Sequence, residues 1–259
     1  SILSSNLVQN GNFSELGSEL VTPTNSLSNW IDARGNATLS IVSNSIRATI
    51  TSGTTFGVST AITTIVGKTY SINAKGIKDN TNGDFLIRVS NVPALSPAIF
   101  EQRTTNSINV SASGTFVATS TTSYVGFLAT SQSVGDYIET DNVSVKQVDP
   151  NNNWTLGTGT TFGNNLVNIT QGGNVLEQSG GVFVSGKKFK IQYTISNYVS
   201  GSIAVSNVSP TTYFNSNGIY SYDVVGAGGN FKYFSSGFNG SITDISVIEV
   251  QQTDIPRLD

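Results

Sequence analysis

The chain contains no cysteine, no histidine and no methionine, and only 11% of its 259 residues are charged. Each absence closes off a class of chemistry. Without cysteine there is no disulfide frame and no thiolate nucleophile. Without histidine, the commonest general base near neutral pH and the commonest transition-metal ligand are both missing. A typical globular chain is roughly 25% charged, so Ser, Thr, Asn and Gly must cover much of this surface. The net charge is −3 and is not concentrated in either half. A nucleic-acid binder needs clustered Lys and Arg to displace counterions, so that role is excluded. The short basic stretch Lys187, Lys188, Lys190 reads as the solvated edge of a strand. No apolar run approaches the roughly 20 residues of a membrane span, and no membrane insertion is expected. The chain opens on Ser1 rather than Met, so it reads as a processed chain or a piece of a longer one.

What is present is β-forming. The chain is 37% hydrophobic, enough to fill a core. Apolar residues alternate in Tyr70-Ile72-Ala74, Phe85-Ile87-Val89 and Phe189-Ile191-Tyr193-Ile195, placing one face of each strand inward. Gly, Asn and Ser interrupt these runs about every ten residues, the rhythm of an antiparallel sandwich or jelly roll. Few charges and many aromatic and β-branched residues are the reverse of a disordered composition. The expected fold is all-β, with two tandem antiparallel β-sandwich domains.

The tandem reading comes from an internal repeat. Gly67-Lys68 in "VGKTYSINAKG" recurs as Gly186-Lys187 in "SGKKFKIQYTIS", an offset of 119. Gly114 in "SGTF" matches Gly218 in "NGIY", an offset of 104, and Val143-Ser144-Val145 matches Ile245-Ser246-Val247, an offset of 102. Order is kept while the offset shrinks, as in a duplicated domain with shorter loops in its second copy. Asp149-Pro150 followed by three Asn marks the boundary, because Pro cannot extend a ladder and Asn favours turns. The domains expected are 1–149 and 150–250, with 251–259 a linker to a further domain.

The stretches "NLVQNGNFS" (Asn6 to Ser14), a following Trp, "VGKTYSI" and "YIETDNVSVKQV" resemble carbohydrate-binding-module-like jelly rolls of the glucan- and xylan-binding type. The second copy resembles the smaller sandwich repeats of bacteriophage tail and fibre proteins, and "TDIPRLD" resembles a linker in such virion proteins. The resemblance implies a virion-associated or host-surface module rather than an enzyme. It also implies a structural calcium in the first domain, held by backbone oxygens at Gly11 and Asn12 and by the side chain of Asp141. The second copy has Thr243 in place of that aspartate, and no second metal is expected.

Sugar binding calls for flat aromatic rings beside polar groups in a cleft. Trp30 and Trp154 hold the same place in both repeats, which favours a core role. Tyr124, Phe127 and Tyr137 in the first domain and Tyr213, Phe214, Tyr220 and Tyr222 in the second are the remaining candidates. No carboxylate pair carries a glycosidase signature, and no catalytic residue is assigned. The turn Asp79 to Asp84 lacks the spacing and closing glutamate of a calcium-binding helix–loop–helix. Gly226 to Asn230 reads as a tight hairpin. The expected function is a non-catalytic virion structural or adhesion protein, partnered by other virion subunits as a homo-oligomer and by host glycans. The alternative is a carbohydrate-binding module pair of a secreted bacterial enzyme or surface protein.

Overall fold

Alternation sets the strands as the sequence implies. In residues 188–195, Phe189, Ile191, Tyr193 and Ile195 are buried while Lys188, Lys190 and Gln192 are exposed. The two lysines therefore lie on the solvated face of an interior strand rather than on a strand edge. The computed structural model describes residues 2–21, 23 and 26–251, and of residues 2, 3, 141 and 251 the backbone alone. The strands are β1 (Ile2–Leu3), β2 (Trp30–Asp32), β3 (Ala37–Val42), β4 (Ser45–Ile50), β5 (Phe56–Thr63), β6 (Thr69–Lys78), β7 (Asp84–Ser90), β8 (Ala98–Thr105), β9 (Asn109–Val117), β10 (Thr122–Ala129) and β11 (Tyr137–Gln147). They continue as β12 (Thr155–Leu156), β13 (Thr160–Phe162), β14 (Val167–Ile169), β15 (Gly173–Phe183), β16 (Lys188–Ser206), β17 (Val208–Ser209), β18 (Gly218–Gly226) and β19 (Gly229–Gln251). All pairings are antiparallel.

The chain divides into two compact units, but not at a single boundary. Leu16–Val148 form an inner unit; the described residues up to Glu15 and from Asp149 onward form an outer one. The domain expected over 1–149 therefore lacks its first fifteen residues, which fold with the C-terminal half. The cause is local. Gly11 lies so close to β19 that a Cβ there would meet the Ile245 carbonyl oxygen at 2.0 Å. Phe13 is buried, with its ring 5.3 Å from that of Trp154. The linker expected over 251–259 lies, from residue 252 on, outside the described residues.

The inner unit is a two-layer sandwich. One sheet runs β2-β5-β10-β7-β8 and the other β3-β4-β11-β6-β9. Trp30, Phe56, Tyr70, Phe85, Phe116 and Phe127 fill the space between them. The segment after β7 covers the opposite face of the first sheet. Leu95 is fully buried there with Ala33, Leu86 and Leu128. Ser59 Oγ and Ser90 Oγ hold the segment by donating to Pro93 O (2.9 Å) and Pro97 O (2.6 Å). The outer unit is a nine-stranded sheet with the path β12-β15-β19-β16-β18-β17, joined by β1 and by the β13–β14 hairpin along β19. Register breaks in the long β16–β19 pair bend both strands.

The repeat survives at the level of hydrogen bonds. Gly67 N–H donates to Ala118 O and Ala118 N–H to Lys68 O; Gly186 N–H donates to Gly226 O and Gly226 N–H to Lys187 O. Val145 faces Ile72 as Val247 faces Ile191. Each closing strand carries one extra residue at the same place, with Asn142 (φ 52°) and Asp244 (φ 54°) in left-handed conformation. One expected match fails. Gly114 faces Ile72, whereas Gly218 faces Ile195 rather than Ile191. The third strand keeps its register, Val225 facing Lys188 as Val117 faces Thr69, so Tyr222 rather than Gly218 stands where Gly114 does, and Tyr220 lies opposite Tyr193.

Candidate functional site

Strand β18 gathers rings at one margin of the outer unit. On β18, Tyr220 and Tyr222 are half-buried and point with buried Val224, while Ile219, Ser221 and Asp223 face solvent. Phe214 comes from the connection before β18. It is fixed by two backbone hydrogen bonds of 2.9 Å with Ile203, one in each direction. The Phe214 ring lies 4.1 Å from Tyr220 and 5.2 Å from Tyr222, centre to centre. Beneath them Tyr193 is fully buried, 5.9 Å from both Phe214 and Tyr220. The contacts continue inward through Tyr233 and Phe231 to Trp154. Tyr213, next to Phe214 in the chain, is 51% exposed. The Tyr220 hydroxyl donates to Ser216 O at 2.8 Å.

Three phenols in this group keep their protons far into base. Burial raises the pKa of Tyr193, and its neighbour Tyr222 adds to the rise. Burial pushes Tyr222 up to about 12, opposed by the Tyr193 hydroxyl. Tyr233 is raised by burial first and by Tyr193 second. None of the three hydroxyls reaches a partner in hydrogen-bonding alignment among the described residues. Tyr193 and Tyr222 are thus near enough to influence each other without being aligned as donor and acceptor. The margin presents neutral aromatic and hydroxyl groups, with the polar atoms of Ser216 at its rim.

The inner unit does not bring its three candidates together. Phe127 is 0% exposed, a core residue, because it shares the inward face of β10 with Val125 and Ala129. Its ring would strike a Cβ on Gly76 at 2.7 Å. Tyr124 points out of the other face of β10 and packs beside Leu86, Leu95 and Leu128, under the covering segment. Tyr137 faces away from the core of the second sheet. The Arg47 guanidinium sits over its ring at 3.9 Å and is itself paired with Glu139. Trp30 and Trp154 are both core residues, as expected from their repeated position.

Gly11 and Asn12 fall in the outer unit and Asp141 in the inner one. The Gly11 carbonyl accepts from Ile245 N–H at 3.0 Å, and Asn12 Oδ1 accepts from Ser14 Oγ at 2.8 Å. The backbone of Asp141 pairs with Lys75 in β11; its side chain lies outside the described residues. No group of three or more His, Cys, Asp or Glu suited to a metal occurs among the described residues. The turn from Asp79 to Asp84 already receives a cation of the chain's own. Buried Lys78 directs its Nζ to the carbonyl oxygens of Asn82 and, at 3.3 Å, Gly83. Desolvation lowers its pKa, against the pull of Asp84, Asp79 and Asp136.

A groove elsewhere in the outer unit was not legible in the sequence. A groove of about 410 Å³ in the outer unit is lined by Gln9, Asn152, Asn153, Gln178, Gly180 and Glu249, among others. Its amides come from three distant stretches, which only the folding of the N-terminal segment onto the outer unit unites. Part of this polar surface is already engaged: Gln178 exchanges two hydrogen bonds of 2.8 Å with the backbone of Gln9.

No family model and no curated protein matches the chain. Among solved structures, the tandem CBM22-1–CBM22-2 domain of Xyn10C from Paenibacillus barcinonensis is 11% identical. That alignment covers 92% of this chain and 99% of that one, with a TM-score of 0.40. A CBM4 structure is 19% identical over 54% of this chain and 99% of its own, with a TM-score of 0.35. TmCBM61, solved with β-1,4-galactotriose, is 12% identical over 56% of this chain and 99% of its own, with a TM-score of 0.32. Likeness at this level transfers no residue's role.

Proposed function

We propose that the chain is a non-catalytic pair of β-sandwich modules that binds polysaccharide, with the contact surface at the Phe214–Tyr220–Tyr222 margin of the outer unit. The observation that carries the reading is the gathering of half-exposed rings on β18 and its preceding connection, backed by phenols that stay neutral. Sugar rings present flat C–H faces bordered by hydroxyls. An aromatic platform with uncharged hydrogen-bonding groups matches both features. The low charge of the chain suits an uncharged polymer. Among the described residues, the two carboxylates with shifted proton affinity are both held down: Asp84 by hydrogen bonds from Arg103 and Thr105, and Glu177 by one from Asn230. A glycosidase acid needs the opposite shift. This is the secreted or cell-surface alternative rather than the virion role, for which none of the solved structures above speaks.

The test is affinity electrophoresis and a glycan array with the whole chain, followed by the same measurements on Tyr220→Ala and Tyr213→Ala. Retardation by at least one neutral polysaccharide is expected. Tyr220→Ala should weaken it about tenfold or more, as expected for a central aromatic contact. Uniformly negative arrays, or binding that survives both substitutions unchanged, would remove the assignment.

A further inference from the structure

The N-terminal twenty-one residues hold a second repeat that runs against the order of the first. Ser5-Asn6-Leu7-Val8 and Ser18-Glu19-Leu20-Val21 share a pattern only 13 positions apart. Each tetrapeptide lies against a closing strand. In the outer unit, Val247 N–H donates to Asn6 Oδ1 (2.9 Å), Val8 N–H donates to the same oxygen (3.1 Å), and Leu7 N–H donates to Val247 O (2.8 Å). In the inner unit, Val145 N–H donates to Glu19 Oε1 (2.8 Å), Val21 N–H donates to the same oxygen (3.1 Å), and Leu20 N–H donates to Val145 O (3.0 Å). Val145 and Val247 are already equivalent by their pairing with Ile72 and Ile191. Val8 and Val21 are both buried. Three matched hydrogen bonds at a matched position make the two segments the same structural piece.

Everywhere else the outer unit's copy follows the inner unit's by more than a hundred residues; here it precedes it. Only one order accounts for both facts. The outer copy begins, the whole inner copy intervenes, and the outer copy then resumes. The two crossings meet at one place, where Asp149 N–H donates to Glu15 O at 3.1 Å. Buried Asp149 ties the resumed chain to the opening segment, accepting from Asn10 Nδ2 (3.2 Å), Asn153 Nδ2 (2.9 Å) and Trp154 N–H (3.0 Å).

We propose that the chain is a nested duplication, and that the surface of the outer unit along β19 is a strand-acceptor groove whose occupant is this chain's own Ser4–Phe13 segment. The groove recognises a side-chain oxygen at position 6 that bridges two N–H groups, as a strand carbonyl would. It recognises Leu7-Val8 by ladder bonding and burial, Gly11 by its lack of a Cβ, and Phe13 by the aromatic pocket of Trp154 and Phe162. This is strand addition by main-chain bonds with side-chain pockets for selectivity.

The experiment uses the full chain with a specific protease site placed between Glu15 and Leu16. After cleavage, size exclusion follows the released peptide and amide exchange follows each unit. The Ser1–Glu15 peptide is expected to remain bound, with the amides of Ile245 and Val247 protected. Labelled peptide should exchange into the groove. An Asn6→Ala peptide should compete about tenfold less well, since two bridging bonds are lost, whereas Asn6→Glu, which copies Glu19, should compete nearly as well as the native peptide. A doubled mass on mixing cut and uncut chains would report exchange of the segment between copies and support the proposal. Departure of the peptide with β19 protection unchanged would overturn the proposal. So would an Asn6→Ala peptide that competes as well as the native one.

Discussion

Phe127 and Tyr220 were indistinguishable candidates in the sequence, since both are aromatic residues in strand-forming stretches. What separates them is which face of the strand meets a second layer, and that depends on pairing partners far away in the chain. Phe127→Ala should destabilise the inner unit by about 3–5 kcal/mol without touching polysaccharide binding, measured by denaturant unfolding beside affinity electrophoresis. Lys78 behaves differently. Its ammonium satisfies the carbonyl oxygens of Asn82 and Gly83, so Lys78→Ala should cost about 2 kcal/mol in the same unfolding assay. The tyrosines give a pH signature. A phenol whose folded pKa is raised resists ionisation, while the unfolded chain ionises near pH 10. The unfolded state then holds fewer protons and stability falls as pH rises. Stability conferred by Tyr193, Tyr222 and Tyr233 is thus complete below about pH 10 and lost above it, through about 12 for Tyr222. Tyrosinate absorbance should show these three of the nine tyrosines appearing only with unfolding; a single smooth titration of all nine in the folded protein would contradict it.

The closing strands and the Gly-Lys turns were readable because each is a contiguous string whose residues obey one local rule. The bulge common to β11 and β19 was present in the same strings but needed backbone angles to be seen. Its left-handed residue predicts a substitution pattern. Asn142→Gly and Asp244→Gly should be within about 1 kcal/mol of neutral, whereas the β-branched Asn142→Val and Asp244→Val should each cost about 1–3 kcal/mol, by denaturant midpoint. Two features stayed hidden for physical reasons. The failed match of Gly114 with Gly218 is one, because a shift of four positions keeps the same face of the strand inward and no pattern of burial betrays it. The opening segment was assigned to the nearer unit because chain proximity is the default guide to pairing, and here the intervening unit returns to its starting point. The residues "NGNF" were legible as a motif but not as a plug, since Phe13 becomes a core residue only once Trp154 is beside it.

For the molecule as a whole, the expected calcium would share Gly11 O with the Ile245 N–H that already donates to it. Differential scanning with and without a chelator tests the site, because an ion bound to the native state would raise the melting temperature by mass action. A drop on chelation would support the metal site, and an unchanged profile would remove it. The nested order also governs how load passes through the protein. Leu3 pairs with Val250 across an antiparallel ladder, so a pull on these two neighbours peels the outer unit open one rung at a time. The inner unit, entered and left through Glu15 and Asp149, bears none of that tension until its host has been unzipped.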